Sequence, residues 1–397
     1  MALPASGQLS FSQINTEFGL GTAMSAYRGA TYYIGSTPGT FPSTNLGFTS
    51  FYNTGSTSSS QGVFMFTQSS TPFFNAYQWS TSGFGTRYSN PSTTLPGGTN
   101  KLSVNTSRTA VLCGHSFTPY IAAYAWSNSS GFGTKYSNPA SPASGSTQNG
   151  VAFAPDELSV GLAWQASPYM YTWRWTNASG FGTRNSNPGT GAVGVGNAIT
   201  FSQTSGSVLL GQGTTPFLHA WDYTGTSYGT RRAASATSNR FWVEFSASGN
   251  DVITAGSTAN FTAAWPWTGT TFGTRYSNPS YTANQSSGRG AEFSPNQQYA
   301  ALAHQSDNGS QYYYISAWPW SAGYGTRFAD PTPSTLAGLA QGNSVAWSST
   351  NDAIALASQG SPYTNAFAFS SGGFGSKYAN PSTLATDIAG AVVFISN

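Results

Sequence analysis

Charge is what this 397-residue chain has least of: Asp, Glu, Lys and Arg make up 6% of it, against roughly 25% in an average soluble domain. Solubility therefore falls to Ser, Thr, Asn and Gly. The formal charge of +3 is spread over the whole chain without a Lys/Arg cluster, which argues against a nucleic-acid groove and against a polybasic membrane patch. Cys113 is the only cysteine, so no internal disulfide and no Cys-based zinc site can form. No apolar run approaches the ~18 residues of a membrane-spanning helix. The opening MALPASGQLSFSQ has neither the basic start nor the continuous apolar stretch of a secretory signal. A soluble product made in a cytoplasm, with no membrane insertion and no nucleic-acid partner, is the expectation.

Repetition is what the chain has in abundance. GFGTRYSNP at 83–91 returns as GFGTKYSNP at 131–139, GFGTRNSNP at 180–188, TFGTRYSNP at 271–279, GYGTRFADP at 323–331 and GFGSKYANP at 373–381, with a worn copy, SYGTRRAAS, at 227–235. The central aromatics, Phe84, Phe132, Phe181, Tyr228, Phe272, Tyr324 and Phe374, step by 48, 49, 47, 44, 52 and 50 residues. A fixed period of this size marks a repeat architecture. The 46 glycines and 15% aromatics suit short strands and turns rather than helices.

Each unit contains four β-like runs, as in VAFAP, SVGLAW, YMYTWRW and GTRNSNP between 151 and 188. The first two read as a hairpin around a Pro-Asp turn, a design repeated by FSASGNDVITAG (245–256) and EFSPNQQYAALA (292–303). In the third run an aromatic-x-aromatic pair recurs: Tyr77/Trp79, Tyr124/Trp126, Trp173/Trp175, Trp221/Tyr223, Trp265/Trp267, Trp318/Trp320 and Phe367/Phe369. Residues two apart on a strand share a face, so every unit presents two rings on one side, and packing between units is the expected use. Four strands per 44–52 residues is the signature of a β-propeller. The array opens at GVFMF (62–66) in a second run and closes at GAVVFISN (390–397) in a first run. Joining the two completes seven blades and leaves no open seam. The expected fold is all-β, a seven-bladed β-propeller over 61–397 closed by the C-terminal strand.

The chemistry on offer is sparse. Seven of the fourteen basic residues occupy one motif position: Arg87, Lys135, Arg184, Arg231, Arg275, Arg327 and Lys377. That run is each blade's outermost strand, where charge discourages edge pairing and side chains splay apart. The eleven acidic residues are scattered, with only Asp156 and Glu157 adjacent. A glycosidase needs two carboxylates facing each other, on the order of 5–10 Å apart. His115, His219 and His304 fall in different units, without metal-ligand spacing or a Gly-x-Ser-x-Gly elbow. The expectation is a protein that is not an enzyme and has no cofactor and no metal. The insertion HQSDNGSQYYY at 304–314 gathers His304, Asp307, Tyr312 and Tyr313, an aromatic-plus-polar set suited to a sugar and placed on a variable loop, where recognition usually sits.

Residues 1–60 do not fit the repeat. Ser10-Phe-Ser-Gln13 reads as a capping box opening a short helix that Gly19 ends, and GSTSSSQG at 55–62 reads as a linker. A segment this poor in apolar residues is expected to be ordered against something else.

The opening LPASGQLSFSQINTEFG at 3–19, followed by GFTSFYN at 47–53, resembles the start of many tailed-bacteriophage virion proteins. The array itself resembles WD-repeat propellers, although the Trp-Asp ending and its structural His are absent. The first resemblance implies a virion structural protein, a tail fibre or tail-tip appendage. Residues 1–60 would dock on other virion proteins through Leu9, Phe11, Ile14, Phe18, Phe48, Phe51 and Tyr52. The propeller would meet a host-surface glycan or receptor. The alternative is a head decoration or fibre protein that only covers or spaces. Either would place the chain in the virion.

Overall fold

The computed structural model describes residues 3–397 apart from 5, 7, 22, 35–36, 53–61, 144, 146–147, 235, 237, 258–260, 281–284, 307–313 and 332–340. Seven antiparallel sheets follow one another as blades of a propeller. Blade I consists of Ala389–Ser396, Gly62–Gln68, Phe74–Ser80 and Gly83–Arg87, in that order from hub to rim. Blade II runs from Thr99–Val104 to Gly131–Lys135, blade III from Gln148–Phe153 to Gly180–Arg184, and blade IV from Gly196–Phe201 to Tyr228–Ala233. Blade V starts at Arg240–Phe245, blade VI at Gln285–Phe293 and blade VII at Gly342–Trp347. The ring closes as the repeat count requires. Val392, Phe394 and Ser396 of the last strand pair with Phe66, Phe64 and Gly62 of the first, so the chain's two ends of the array share one sheet.

The repeated aromatics hold blade to blade. Trp173 and Trp175 of blade III are buried in one cluster with Leu112, Ile121 and Ala123 of blade II, and Trp265 and Trp267 of blade V cluster with Leu209, Leu218 and Ala220 of blade IV. All nine paired tryptophans are buried. Fully burying so large a ring contributes the most apolar area of any residue type, and alternation along the third strand aims both rings of a pair into the same seam.

Blades V and VI depart from the four-strand plan. Their sheets have three strands, and the outer run forms no ladder among the described residues beyond the isolated bridges Trp267↔Phe272 and Trp320↔Tyr324. The cause is visible in the repeated sequence AWPW. Pro266 and Pro319 sit between the paired rings, and proline has no N–H to donate to an outer ladder. Their carbonyls still accept from Gly273 and Gly325, each at 2.8 Å.

The N-terminal residues make a small core of their own, which corrects the expectation that they need another surface for order. A helix, Phe11–Phe18, carries the capping box of Ser10 and Gln13 and stops at Gly19 in the left-handed region. Ile14 and Phe51 are buried together with Leu3, Tyr27, Phe41 and Leu46, with Leu9 and Phe18 packed against them. Phe11 meets Phe48 edge to face at 4.8 Å, and Tyr52 is partly buried. Four rings, with Phe18 and Phe51 each meeting Tyr27, Phe41 and one another, supply the cohesion that the segment's length alone would not suggest.

Candidate active site

The innermost strands of blades III to VII carry the same irregularity near their start. The ladder to the next strand jumps from Gln148 to Gly150, Gly196 to Ala198, Arg240 to Trp242, Gly288 to Gly290 and Gly342 to Ser344. The skipped residues are Asn149, Asn197, Phe241, Arg289 and Asn343. A bulged residue is unpaired and re-aimed, and here all five line the hub channel. Where the residue is Asn, it staples its blade to the next. Asn149 Nδ2 donates to the Gly196 carbonyl at 2.9 Å, Asn343 Nδ2 to the Ala389 carbonyl at 2.8 Å, and Asn197 Nδ2 to Asn239 Oδ1. Blades V and VI put Phe241 and Arg289 in this place, and the Arg289 guanidinium lies over the Phe241 ring, 4.9 Å from its centroid.

Three residues further along the same strands stand Glu244 and Glu292. The corresponding residues of blades III, VII and I are Ala152, Ala346 and Val393. The two glutamates thus occupy equivalent positions in neighbouring blades, and both line a channel cavity of about 340 Å³ together with Trp242 and Lys101. A second cavity of about 380 Å³ contains Arg289 and Phe241, and Lys101 and Asn149 border both. Lys101 belongs to blade II and Trp242 to blade V, three blades apart in a ring of seven and therefore across the axis. The Lys101 ammonium sits 4.8 Å from the centroid of the Trp242 ring, a cation–π contact that spans the channel between the chambers.

Electrostatics set these groups apart from the rest of the molecule. Burial pushes the Glu244 carboxyl up to about 7, against the opposing pull of the Trp242 indole, whose Nε1 donates to Glu244 Oε2 at 3.0 Å. Burial, and then the charge of Glu244, drive Glu292 well above the usual carboxylate range, while the Trp347 backbone N–H donates to Glu292 Oε2 at 3.2 Å. Two neighbouring half-buried carboxyls do not both ionise readily near neutrality. Glu292, the more strongly shifted, keeps its proton to higher pH. Burial also draws Lys101 down to about 8, and the Arg289 charge acts in the same direction.

The residues singled out from sequence lie elsewhere. His304 ends the regular part of the strand Tyr299–Ser306; it is buried, with Nε2 3.1 Å from Ser316 Oγ, because the second run of blade VI continues through it. Asp307, Tyr312 and Tyr313 lie outside the described residues. Burial pulls His115 and His219 to about 4 and His304 to about 3, so all three are neutral interior groups. Among the described residues no three His, Cys, Asp or Glu side chains gather as a metal centre. The rim cations satisfy local partners: Arg87 binds Asn75 and Asn90, Lys135 binds Asn138, and Arg327 pairs with Asp330. They do not converge.

No protein-family profile and no curated protein matches the chain. Solved structures do. A provisionally named 6-phosphogluconolactonase from Bacteroides fragilis superimposes with a TM-score of 0.64 at 10% identity, over 85% of this chain and 98% of its own. A periplasmic gluconolactonase from Pseudomonas aeruginosa does so at 0.63 and 9%, over 84% and 99%. A protein from Lactobacillus plantarum gives 0.62 at 12%, over 85% and 100%. At these identities the likeness is one of fold. It overturns two expectations all the same. The reading as a phage virion structural protein finds no counterpart among these neighbours, and the exclusion of enzymes fails, since propellers of this layout are named for gluconolactonase activity. The physical reason is that a propeller brings together residues one blade period apart, however scattered they are along the chain.

Proposed function

We propose that the chain is a hydrolase of small cyclic esters, with sugar lactones the substrate class, and that the step takes place in the hub chamber containing Glu244 and Glu292. The single observation carrying this reading is the pair of half-buried carboxyls, both raised above the carboxylate range and set in a cavity of about 340 Å³, within the size range of small-molecule sites. The names of the fold neighbours support the choice of ester.

Opposed protonation states give the pair two roles. Glu244, the first to ionise, takes a proton from water as the water oxygen bonds to the lactone carbonyl carbon. Glu292 gives its proton to the ring oxygen as the carbon–oxygen bond breaks, and a hydroxy acid leaves. The Lys101 ammonium lines the same chamber and stabilises charge developing on the carbonyl oxygen. Transfer of the proton from Glu244 back to Glu292 resets the site. We further propose a division of the chain into residues 1–60 and the catalytic propeller, 61–397.

The test is pH-stat titration of a panel of sugar lactones with the full-length protein, Glu244→Gln and Glu292→Gln. Wild type should release acid faster than buffer, and either substitution should cut the rate by on the order of 100-fold or more. Lactone hydrolysis equal in all three proteins and buffer would end this reading.

A further inference from the structure

We propose that the second hub chamber is a binding site for a tetrahedral oxyanion of the phosphate class, held by Arg289 with Lys101 behind it. Two cations border this cavity of about 380 Å³, and none of its described lining residues is acidic. Neither cation forms an ion pair with a carboxylate among the described residues. Among the described residues Arg289 has one long hydrogen bond, from Nη2 to Gln305 Oε1 at 3.4 Å, and its Nε is buried without a partner. A guanidinium presents five donors in a fixed fork, so most of this fork is unused.

The two charges also oppose each other: the field of Arg289 is one of the causes that draw Lys101 below its ordinary range. Buried charge of one sign is costly unless compensated. Neither glutamate lines this chamber, and no carboxylate is among the causes that shift Lys101 or Arg289. The surrounding amides of Asn149, Asn197 and Asn343, committed to the neighbouring blades, carry no charge. Gly290, next to Arg289, has no side chain because a Cβ there would lie 2.8 Å from Ser344 Cα. Phe241 backs the guanidinium on one face, leaving its edge for a planar, bidentate approach to an oxyanion.

The anion has two chemical sources, free inorganic phosphate or a phosphate ester carried by the channel's substrate. The second source rests on the lactonase reading, since Arg289 precedes Glu292 by three residues, about 10 Å of strand. The experiment is isothermal titration of wild type, Arg289→Gln and Arg289→Lys with inorganic phosphate, followed by kinetics on a neutral lactone and its phosphorylated counterpart.

Wild type should bind phosphate with a dissociation constant of millimolar or below, Arg289→Gln should lose at least ten-fold, and Arg289→Lys should recover part of the loss. Circular dichroism melts of the variants confirm that they fold. No binding by wild type, or equal binding by a folded Arg289→Gln, overturns the site. If the ester is the source, Arg289→Gln raises KM for the phosphorylated lactone alone and leaves kcat in place. If free phosphate is, it binds without competing with either lactone. Phosphate binding without lactone turnover would remove the hydrolase reading and leave this one standing.

Discussion

The seams between blades and the hub channel are built from the same seven repeats, yet they obey opposite rules. At the seams every blade supplies the same thing: two rings two residues apart, buried against the neighbouring sheet. At the hub the blades disagree. The bulge that holds a stapling Asn in blades III, IV and VII holds Phe241 and Arg289 in blades V and VI, and a position that is Val393, Ser103, Ala152, Thr200 or Ala346 in the other blades becomes Glu244 and Glu292. Regularity at a seam means a shared packing duty, and a break in regularity at the hub means a local chemical one. Blades V and VI also lose their outer ladder to Pro266 and Pro319, so the two blades that carry the acids are the least regular at both edges.

The comparison can be broken most severely at the closing seam. Deleting 388–397 removes the innermost strand of blade I, including buried Val392 and Ile395. Total stabilities of domains are about 5–15 kcal/mol, and the loss of a strand at the only closure consumes that margin. The truncated chain is expected to give no cooperative thermal transition; melting like wild type would disprove the closure. A smaller break is a seam ring. Trp265→Ala or Trp318→Ala should cost about 3–5 kcal/mol in denaturant unfolding, since both are fully buried, and a cost below about 1 kcal/mol would remove the seams from the account.

The hub should respond with the opposite sign. Glu244 titrates near 7 in the fold and near 4.3 in an unfolded chain, so the folded state holds the extra proton between those values. Its contribution is therefore unchanged below about pH 4.3, falls as pH rises to about 7, and is level above. Glu244→Gln lacks that loss and should be more stable than wild type at pH 8 by on the order of 1–3 kcal/mol, with the gain vanishing at pH 4. Equal stabilities at both pH values would show that the carboxyl is not strained by its site. The smallest effect belongs to the rim. Lys135→Ala, which removes an exposed contact to Asn138, should change stability by no more than about 0.5 kcal/mol.

Much of the fold was legible because the information was redundant: seven copies of a motif and an orphan strand at each end of the array. The capped helix at Phe11–Phe18 was legible from Ser10, Gln13 and Gly19 for local reasons. The N-terminal core was not, because its rings come from four separate stretches whose meeting no local pattern announces. The hub site went unseen for a different reason. Glu244 and Glu292 are 48 residues apart, one blade period, and both open the same Glu-Phe-Ser hairpin start. That signal lies in a difference between copies, which a pattern shared by all seven does not carry. Trp242, one of three tryptophans outside the seam pairs, carried the same clue.

The central claim is that two neighbouring hub carboxyls are both raised above the carboxylate range and ionise one after the other, and the chain's composition makes it directly measurable. There are only four glutamates, Glu17, Glu157, Glu244 and Glu292, so side-chain carboxyl carbons labelled with carbon-13 give four resonances assignable by single Gln substitutions. Titration by NMR should show Glu244 changing near pH 7 and Glu292 at still higher pH, and Glu244→Gln should lower the midpoint of Glu292. Four independent midpoints in the ordinary range of about 4–5 would contradict the account.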